Sequence, residues 1–322
     1  MKIVMTSGAV GGGTDPDFLE ELHAEFPDVT FLPVADAEEG MRLIRDADAI
    51  YGWPTQEMVQ VADKLSWVHI PGTGVDEMGK RPALIEHDAV LTNCRGPHAP
   101  PMADHVMGMV INLAHRWGDL FADQRDRTFE MLKYAGTYKE LAGSTMGILS
   151  MGDIGTEVAR RAHGFGINVY AADVHPMAPP PEVKEVWGLE RLDELLGMCD
   201  WFVVAAPLTP QSRDMIDRRR IGLMKQGAFV IVISRGNIVD EQALADAVRS
   251  GRLGGAGIDA FATEPLPQDS PLWGLDNVVL TPHASALTPD LVVGRRNIFK
   301  ENLRRRLAGE PFLYVVDKKA GF

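Results

Sequence analysis

The sequence is poor in cysteine, contains no long apolar run and has fewer basic than acidic residues. Among its 322 residues, the only cysteines are Cys94 and Cys199. This number excludes a disulfide framework and a four-cysteine zinc site, and it favours a reducing, cytoplasmic location. No run reaches the roughly 18 apolar residues that a membrane-spanning helix needs. The opening segment, MKIVMTSGAV, has the pattern of a short strand rather than of a signal peptide.

The charge balance argues against polyanionic partners. Lysine and arginine together number 32, aspartate and glutamate number 45, and the formal net charge is −13. Such a chain repels phosphate backbones and anionic lipid, so neither nucleic acid nor a membrane is an expected partner. The one dense basic stretch, residues 295–306, has helical spacing and is expected to form a solvated helix face.

Short apolar runs alternate with segments of helical periodicity along most of the chain. In the first third the predicted strands are KIVM, VTFLP, AIYGW, WVHI and AVLTN. Residues 97–136 contain no strand pattern and predict one long helix followed by an arm. The alternation then restarts with STMGILSMG, INVYAAD, WFVVAAP, AFVIVIS, GAGIDA and NVVLTPH. This pattern predicts an α/β protein with two doubly wound parallel-sheet domains.

The last residues depart from this rhythm. A helix is predicted over residues 288–308, and the segment FLYVV (312–316) has the pattern of a strand. Because this strand does not continue the second alternation, we expect it to fold back onto the first domain.

Residues 147–160, GILSMGDIGTEVAR, have the pattern of a dinucleotide-binding turn with one substitution. The fingerprint G-x-G-x-x-G follows a buried strand and opens a helix. Here Ser150 replaces the first glycine, while Gly152 and Gly155 occupy the second and third places. A positive φ angle at Ser150 would cost about 1 kcal/mol, which a folded domain tolerates.

The residues around this turn complete the dinucleotide pattern. The amides of Asp153 and Ile154 would open the following helix and face a pyrophosphate. The next strand, INVYAAD, ends in Asp173, where an acid is expected to bind the ribose hydroxyls and to repel a 2′-phosphate. We therefore predict that the chain binds NAD and prefers NADH to NADPH.

Other candidate sites are weaker. Residues 8–16 are rich in glycine but lack the fingerprint spacing, so they predict a loop beside an active cleft. Residues 74–81 follow a phosphate-loop pattern until Arg81, which stands where a hydroxyl is needed for magnesium. His98 and His105 do not have the spacing of metal ligands, and no metal site is predicted.

Three polar residues follow predicted strands of the second alternation. Arg235 follows AFVIVIS, Glu264 lies after GAGIDA, and His283 follows NVVLTP. The carboxyl ends of parallel strands line one crevice, so these side chains could converge there. A guanidinium binds the carboxylate and carbonyl oxygens of a 2-keto acid. An imidazole can move the proton that accompanies hydride transfer, and a carboxylate beside it favours its charged form.

With these residues in place, the chain resembles the D-isomer-specific 2-hydroxyacid dehydrogenases over almost its whole length. The motifs that carry the resemblance are PGTGVD (71–76), MADH (102–105), TMGILSMGDIG (145–155), CDWFVVAAPLTPQS (199–212), SRGNIVDEQAL (234–244), GGAGIDAFATEPLP (254–267), LTPHAS (280–285) and VVDKKAGF at the end. The resemblance implies a Rossmann cofactor domain, residues 98–294, and a flavodoxin-like substrate domain formed by residues 1–97 and 295–322.

The resemblance also implies a role for individual residues. The implied catalytic residues are Arg235, Glu264 and His283. The implied cofactor-binding residues are Gly152, Asp153, Ile154, Gly155, Asp173, Pro207, Ile233, Ser234, Asp259 and His283, with Asp259 against the nicotinamide amide. The implied substrate-binding residues are Thr73, Gly74 and Arg235. Members of the family are commonly homodimers, joined partly through the segment equivalent to residues 100–140.

The implied reaction is the reversible NADH-dependent reduction of a small 2-keto acid, such as glyoxylate or hydroxypyruvate, to the D-2-hydroxy acid. Glu264 argues against formate oxidation, for which the family has glutamine at this place. Two alternatives remain open: phosphite oxidation with the same three residues, and an NAD-sensing corepressor-like protein that binds peptides.

The chain departs from the family pattern at two further places. Val232 stands where the family often has asparagine, which could loosen the loop that positions Arg235. The prolines at 100 and 101 lead us to expect a late start of the helix that follows.

Overall fold

The computed structural model describes residues 1–6 and 12–321. The chain divides into two compact units, which we call unit 1 (Met1–His98 and Thr288–Phe322) and unit 2 (Ala99–Leu287). The domain boundaries predicted from the sequence lie one residue before the first division and seven residues after the second. Residues 8–11 of the glycine-rich loop predicted over residues 8–16 lie outside the described residues.

Unit 1 is built on a sheet of five parallel strands, ordered β2-β1-β3-β4-β5. Its strands are β1 (Lys2–Met5), β2 (Thr30–Pro33), β3 (Ala49–Tyr51), β4 (Trp67–His69) and β5 (Val90–Thr92). The helices between them are α1 (Pro16–Glu25), α2 (Ala37–Leu43), α3 (Gln56–Gln60) and α4 (Pro82–Glu86), with 3-10 turns at Ile44–Asp46 and Asp76–Lys80. This order is that of the flavodoxin-like fold, as predicted.

Unit 2 is built on a sheet of seven parallel strands. Its strands are β6 (Thr145–Leu149), β7 (Asn168–Asp173), β8 (Val183–Gly188), β9 (Trp201–Val204), β10 (Phe229–Val232), β11 (Gly255–Ile258) and β12 (Val278–Leu280). Its helices are α5 (Ala99–Ala114), α6 (Trp117–Asp126), α7 (Asp153–Gly164), α8 (Leu192–Met198), α9 (Arg218–Leu223) and α10 (Glu241–Arg249), with 3-10 turns at Met131–Tyr134, Leu189–Arg191 and Gly236–Ile238.

The strand order of unit 2 is β12-β11-β10-β9-β6-β7-β8. The order reverses between β6 and β9, which are paired neighbours, and in a Rossmann sheet the dinucleotide binds outside the carboxyl ends of the strands at this switch point. The predicted fold class, two doubly wound parallel-sheet domains, is therefore confirmed. Strand β8 was not predicted, because it lies at the sheet edge and carries the exposed charges of Lys184 and Glu185.

The long helix and arm predicted over residues 97–136 are formed by two helices and a 3-10 turn. Helix α5 ends at Ala114, and Arg116, in the left-handed conformation with φ 52°, separates it from α6. The start of α5 is not delayed by its prolines, since Pro100 and Pro101 lie in the first turn of the helix. Proline is tolerated there because first-turn amides have no partner within the helix.

The last helix, α11 (Pro289–Ala308), belongs to unit 1 and supplies part of its core. Phe299 is fully buried and stacks on Trp67, with ring centroids 5.4 Å apart. It also meets the rings of Phe18 and Tyr51 edge-on. The core of unit 1 therefore depends on residues from both ends of its sequence.

The strand predicted over 312–316 is not formed. Its residues make an isolated antiparallel bridge instead, between Val315 and Thr92 at the edge strand β5. The positive φ of Tyr314, 54°, interrupts the extended backbone that a strand would need. The segment does return to the first sheet, as predicted. Within residues 1–6 and 12–321, no helix is long and apolar enough to cross a membrane.

Candidate active site

The predicted dinucleotide turn lies between buried strand β6 and the N-terminus of α7. Ser150 has a φ angle of 80°, the positive value predicted for the place of the first glycine. Its amide donates a hydrogen bond to the carbonyl of Ala172 at 2.8 Å, which ties the turn to strand β7. A non-glycine residue in this conformation costs about 1–2 kcal/mol. The turn thus keeps its shape with serine in the first place.

The two remaining glycines of the turn differ in what surrounds them. A Cβ atom on Gly155 would lie 2.1 Å from the carbonyl oxygen of Ser150, so only glycine allows helix α7 to approach the turn this closely. A Cβ atom on Gly152 would meet no atom within 4 Å. No contact within the protein therefore requires glycine at position 152. The open space beside it fits the close approach of a pyrophosphate to the backbone.

Asp173 ends strand β7 and is held beside this turn. Its Oδ2 accepts a hydrogen bond from the amide of Met151 at 2.7 Å, and its Oδ1 accepts one from the amide of His175 at 2.8 Å. The side chain is buried. A carboxylate is thereby fixed next to the first turn of α7, where the fingerprint places the ribose-binding acid.

Glu264 and His283 form a hydrogen-bonded pair. The Nδ1 atom of His283 lies 3.0 Å from Oε1 and 2.9 Å from Oε2 of Glu264. The amide of Phe261 donates to Oε1 of Glu264 at 3.0 Å, which fixes the carboxylate. His283 has a φ of 52°. With 40% and 38% of their side chains exposed, His283 and Glu264 are both accessible to solvent.

Arg235 follows strand β10, the neighbour of β11 in the sheet. A Cβ atom on the next residue, Gly236, would lie 2.1 Å from the backbone carbon of Phe261. The loop that carries Arg235 is thus packed directly on the loop that carries Glu264. Val232, the departure from the family pattern, is buried inside β10 and pairs with Val204 and Ile258.

Asp259 directly follows strand β11, at the start of the loop that carries Glu264, and is fully buried. It accepts hydrogen bonds from the hydroxyl of Thr281 at 2.6 Å and from the amides of Ala284 at 3.0 Å and Ser285 at 3.2 Å. Burial raises the pKa of Asp259, but hydrogen bonds from Ser285 and Thr281 outweigh it and leave the pKa below its ordinary value. The predicted contact of Asp259 with a nicotinamide amide stays a prediction.

A third carboxylate near the pair was not among the residues predicted from the sequence. Glu241, in the first turn of α10, accepts a hydrogen bond from the amide of Ala262 at 2.6 Å. Burial raises the pKa of Glu241, and the negative charge of Glu264 raises it further. The hydrogen bond from Ala262 lowers the pKa but does not cancel these two effects. Its position directly after the loop of Arg235 is the signal that could have identified it.

Three other predicted cofactor residues lie near the switch point. The amide of Ile233 and the hydroxyl of Ser234 both donate to the carbonyl of Val204, which ends strand β9. The carbonyl of Pro207 accepts from the hydroxyl of Ser212 at 2.7 Å. All three predicted residues therefore follow β9 or β10 at the carboxyl edge of the sheet.

The predicted substrate residues Thr73 and Gly74 belong to unit 1, after strand β4. The carbonyl of Thr73 accepts a hydrogen bond from the side-chain amide of Asn93 at 2.8 Å. In the described part of the chain, the buried Oγ1 of Thr73 and Oδ1 of Asn93 have no hydrogen-bond partner. Across those same residues, no group of three histidine, cysteine, aspartate or glutamate side chains could hold a metal ion.

Comparison with known proteins agrees with this geometry. Residues 107–285, more than half of the chain, match the family model of the D-isomer specific 2-hydroxyacid dehydrogenase, NAD binding domain. The chain is 32% identical over 287 residues to a D-3-phosphoglycerate dehydrogenase from Methanocaldococcus jannaschii, covering 87% of this chain and 53% of that protein. It thus spans about half the length of the curated relatives it matches.

Solved structures are similar over their full length. A D-isomer specific 2-hydroxyacid dehydrogenase family protein from Aeromonas salmonicida has a TM-score of 0.83 at 28% identity, covering 98% of both chains. An NADPH-dependent glyoxylate/hydroxypyruvate reductase from Sinorhizobium meliloti has a TM-score of 0.84 at 26% identity, covering 100% of this chain and 99% of that one. The chain belongs to the D-isomer specific 2-hydroxyacid dehydrogenase family.

Proposed function

We propose that this protein is an NADH-dependent oxidoreductase that interconverts a small 2-keto acid and its D-2-hydroxy acid. The observation that carries the proposal is the Glu264–His283 pair, with its nitrogen and oxygen atoms 2.9–3.0 Å apart. This pair lies at the carboxyl edge of a sheet whose switch-point turn has the geometry of a pyrophosphate site.

The residues of the turn fit a dinucleotide. Gly152 has no side chain to cap helix α7, and space is open beside it. The amides of Asp153 and Ile154 open the helix, where the dipole favours an anion. Gly155 allows the close packing that brings these amides to the turn. When bound there, NADH supplies the hydride for reduction of the keto carbon.

Side chains of the protein supply the proton and orient the substrate. His283 donates a proton to the carbonyl oxygen as hydride reaches the carbonyl carbon, and it takes the proton back in the oxidative direction. Glu264 stabilises the imidazolium and fixes the ring through Nδ1, which leaves Nε2 for the substrate. Arg235 binds the carboxylate and the carbonyl oxygen, and its charge stabilises the developing alkoxide.

The surroundings of Asp173 support a preference for NADH over NADPH. Its carboxylate is fixed by two amides beside the turn and would repel a 2′-phosphate. The sequence from Val174 to Val183 contains no lysine or arginine that could neutralise such a phosphate. The Sinorhizobium reductase is named as NADPH-dependent, so this preference would distinguish the present protein from that relative.

Polar atoms of unit 1 support a small anionic substrate. We propose that the amides of Thr73 and Gly74 bind the substrate carboxylate. The buried Oγ1 of Thr73 has no hydrogen-bond partner among the described residues, which is consistent with a polar ligand beside this loop. Glyoxylate and hydroxypyruvate are the first substrates to test, because one full-length structural relative is named for them.

We also propose that the protein is a cytoplasmic homodimer joined partly through residues 100–140. In the single chain Phe129 is 99% exposed, Met131 79% and Leu132 78%. Large apolar side chains exposed this close together in the sequence are a candidate for a protein interface. Both cysteines are free and buried, which fits a reducing compartment.

The test is NADH consumption across a panel of 2-keto acids, with NADPH in parallel and with phosphite plus NAD as a separate reaction. We expect turnover with NADH on at least one keto acid. His283→Ala should lower kcat by about 10²- to 10⁴-fold while NADH still binds, since the proton donor is lost and the turn at residues 150–155 is untouched. An unchanged kcat would refute the assignment of His283. Turnover of phosphite alone, or NADH binding without any turnover, would overturn the proposed reaction.

A further inference from the structure

A chain of three hydrogen-bonding side chains joins helix α5 to the loop that carries His283. The Nε2 atom of His105, on α5, lies 3.0 Å from the hydroxyl oxygen of Thr281. That hydroxyl lies 2.6 Å from Oδ1 of Asp259. All three residues belong to unit 2, and Thr281 and His283 are separated by one residue. We call this chain of side chains the His105 relay.

The direction of both hydrogen bonds follows from the chemistry of the groups. A carboxylate only accepts hydrogen bonds, so the single hydroxyl hydrogen of Thr281 is donated to Asp259. The hydroxyl oxygen can then only accept from His105. The Nε2 atom of His105 must therefore carry a hydrogen, and the histidine is a donor to the relay.

The last member of the relay holds the loop of His283. Asp259 accepts hydrogen bonds from the amides of Ala284 and Ser285, the two residues that follow His283. His283 itself has a φ angle of 52°, which a non-glycine residue adopts only when its surroundings impose it. The fixed carboxylate supplies this constraint from the carboxyl side of His283, and Thr281 supplies it from the other side.

We propose that His105 and Thr281 are positioning residues. Together they orient the Asp259 carboxylate, and Asp259 fixes the backbone that aims His283 at the substrate. This inference rests on the proposed function, in which His283 is the proton donor. It assigns a role to a histidine that has no metal-ligand spacing and lies on a helix outside the catalytic loops.

The simpler alternative is that the relay only anchors helix α5 to the sheet. The two roles predict different kinetics. Loss of an anchor lowers the stability of unit 2 without a selective effect on the chemical step. Loss of a positioning contact lowers kcat by a larger factor than it raises the KM for NADH, because Asp259 is one predicted cofactor contact among several and the turn around Gly152 is untouched.

Thr281→Val and Thr281→Ser form a matched pair of variants. Valine has the shape of threonine but cannot bridge His105 and Asp259, whereas serine keeps the hydroxyl. We expect Thr281→Val to lower kcat by about 10- to 100-fold and to raise the kinetic isotope effect measured with deuterated NADH, with the KM for NADH raised by a smaller factor than kcat is lowered. Thr281→Ser should recover most of kcat. Equal kcat values for both variants and the wild type would overturn the proposal.

His105→Gln and His105→Leu test the other end of the relay. The glutamine amide can donate near the position of Nε2, whereas leucine cannot donate. We expect His105→Gln to retain kcat within about threefold and His105→Leu to match Thr281→Val. The double variant His105→Leu/Thr281→Val should lose no more than either single variant, since both break one relay. Additive losses would overturn the relay. If Thr281→Val does not fold, the comparison of His105→Gln with His105→Leu decides the question.

One readout is independent of activity. Nitrogen-15 spectra of the imidazole rings, assigned by comparison with His105→Gln, should show His105 protonated at Nε2 in the wild type and not at Nδ1 alone. A ring of His105 protonated only at Nδ1 would overturn the relay, whatever the activity. If the wild type reduced no 2-keto acid but showed the Nε2 proton, the proposed reaction would fail while the relay geometry stood.

Discussion

Replacement of Gly155 by alanine tests whether the turn at residues 150–155 holds a dinucleotide. The new Cβ atom would lie 2.1 Å from the Ser150 carbonyl oxygen, whereas ordinary contacts begin at 3.4 Å. Helix α7 and the turn would have to separate by about 1.3 Å. Overpacking of this kind costs about 1–3 kcal/mol of unfolding free energy. The amides of Asp153 and Ile154 would move by a similar distance from the pyrophosphate.

The expected result is a combined loss of stability and affinity. A hydrogen bond to a charged group contributes about 1.5–3 kcal/mol, so the Kd for NADH should rise by about 10- to 100-fold. The measurements are urea unfolding followed by circular dichroism and titration of NADH fluorescence. Both should be made on the same preparation.

Gly152→Ala distinguishes an effect on NADH binding from an effect on protein stability. Its Cβ atom would meet no protein atom within 4 Å, and its φ and ψ angles of −67° and −168° are open to alanine. Its unfolding free energy should change by less than about 0.5 kcal/mol. The Kd for NADH should still rise by about tenfold or more, because the pyrophosphate approaches this backbone.

Gly164→Ala, at the exposed far end of the same helix, is the matched control. A Cβ atom there also meets nothing within 4 Å, so both stability and NADH affinity should stay close to those of the wild type. Wild-type affinity in Gly152→Ala would refute the reasoning, since it would mean that no pyrophosphate lies against the turn.

Two further predictions follow from residues outside the catalytic loops. Asp173→Ser should shift the ratio of kcat/KM values toward NADPH by about tenfold or more, because it removes the charge that repels a 2′-phosphate. An unchanged ratio would contradict the role of Asp173. Met131→Glu combined with Leu132→Glu should convert the dimer to a monomer in multi-angle light scattering, because charges would enter the apolar interface. A dimer that persists would place the interface elsewhere.

The fold was largely predictable because its signals are local. Strands such as β1 (Lys2–Met5) and β10 (Phe229–Val232) are short apolar runs bounded by helical periodicity, and the sheet buries them on both faces. The end of α5 was not predictable, since the left-handed residue there is an arginine and not a glycine. The segment 312–316 has strand composition, but only the position of β5 in the folded chain determines that it forms one bridge.

The site was predictable where each residue follows a strand. Arg235, Glu264 and His283 follow three neighbouring strands, so one edge of the sheet brings their loops together. The contacts that orient these residues were not predictable from sequence spacing. His105 lies 176 residues before Thr281, and their contact depends on how α5 packs against β12. Sequence patterns identified the residues expected to react, but not the residues that orient them.

The burial of Phe299 in unit 1 has a consequence for synthesis. Trp67, Tyr51 and Phe18 leave the ribosome before all of unit 2 is made, whereas the ring that completes their cluster follows it. Unit 2 is continuous in sequence and can fold as it emerges. Unit 1 cannot complete its aromatic cluster until Phe299 has been synthesised. This nonlocal contact slows folding, and until it forms the apolar surface of the cluster is exposed to other chains. Aggregation of the nascent protein should therefore begin in unit 1, not in the unit that binds the cofactor.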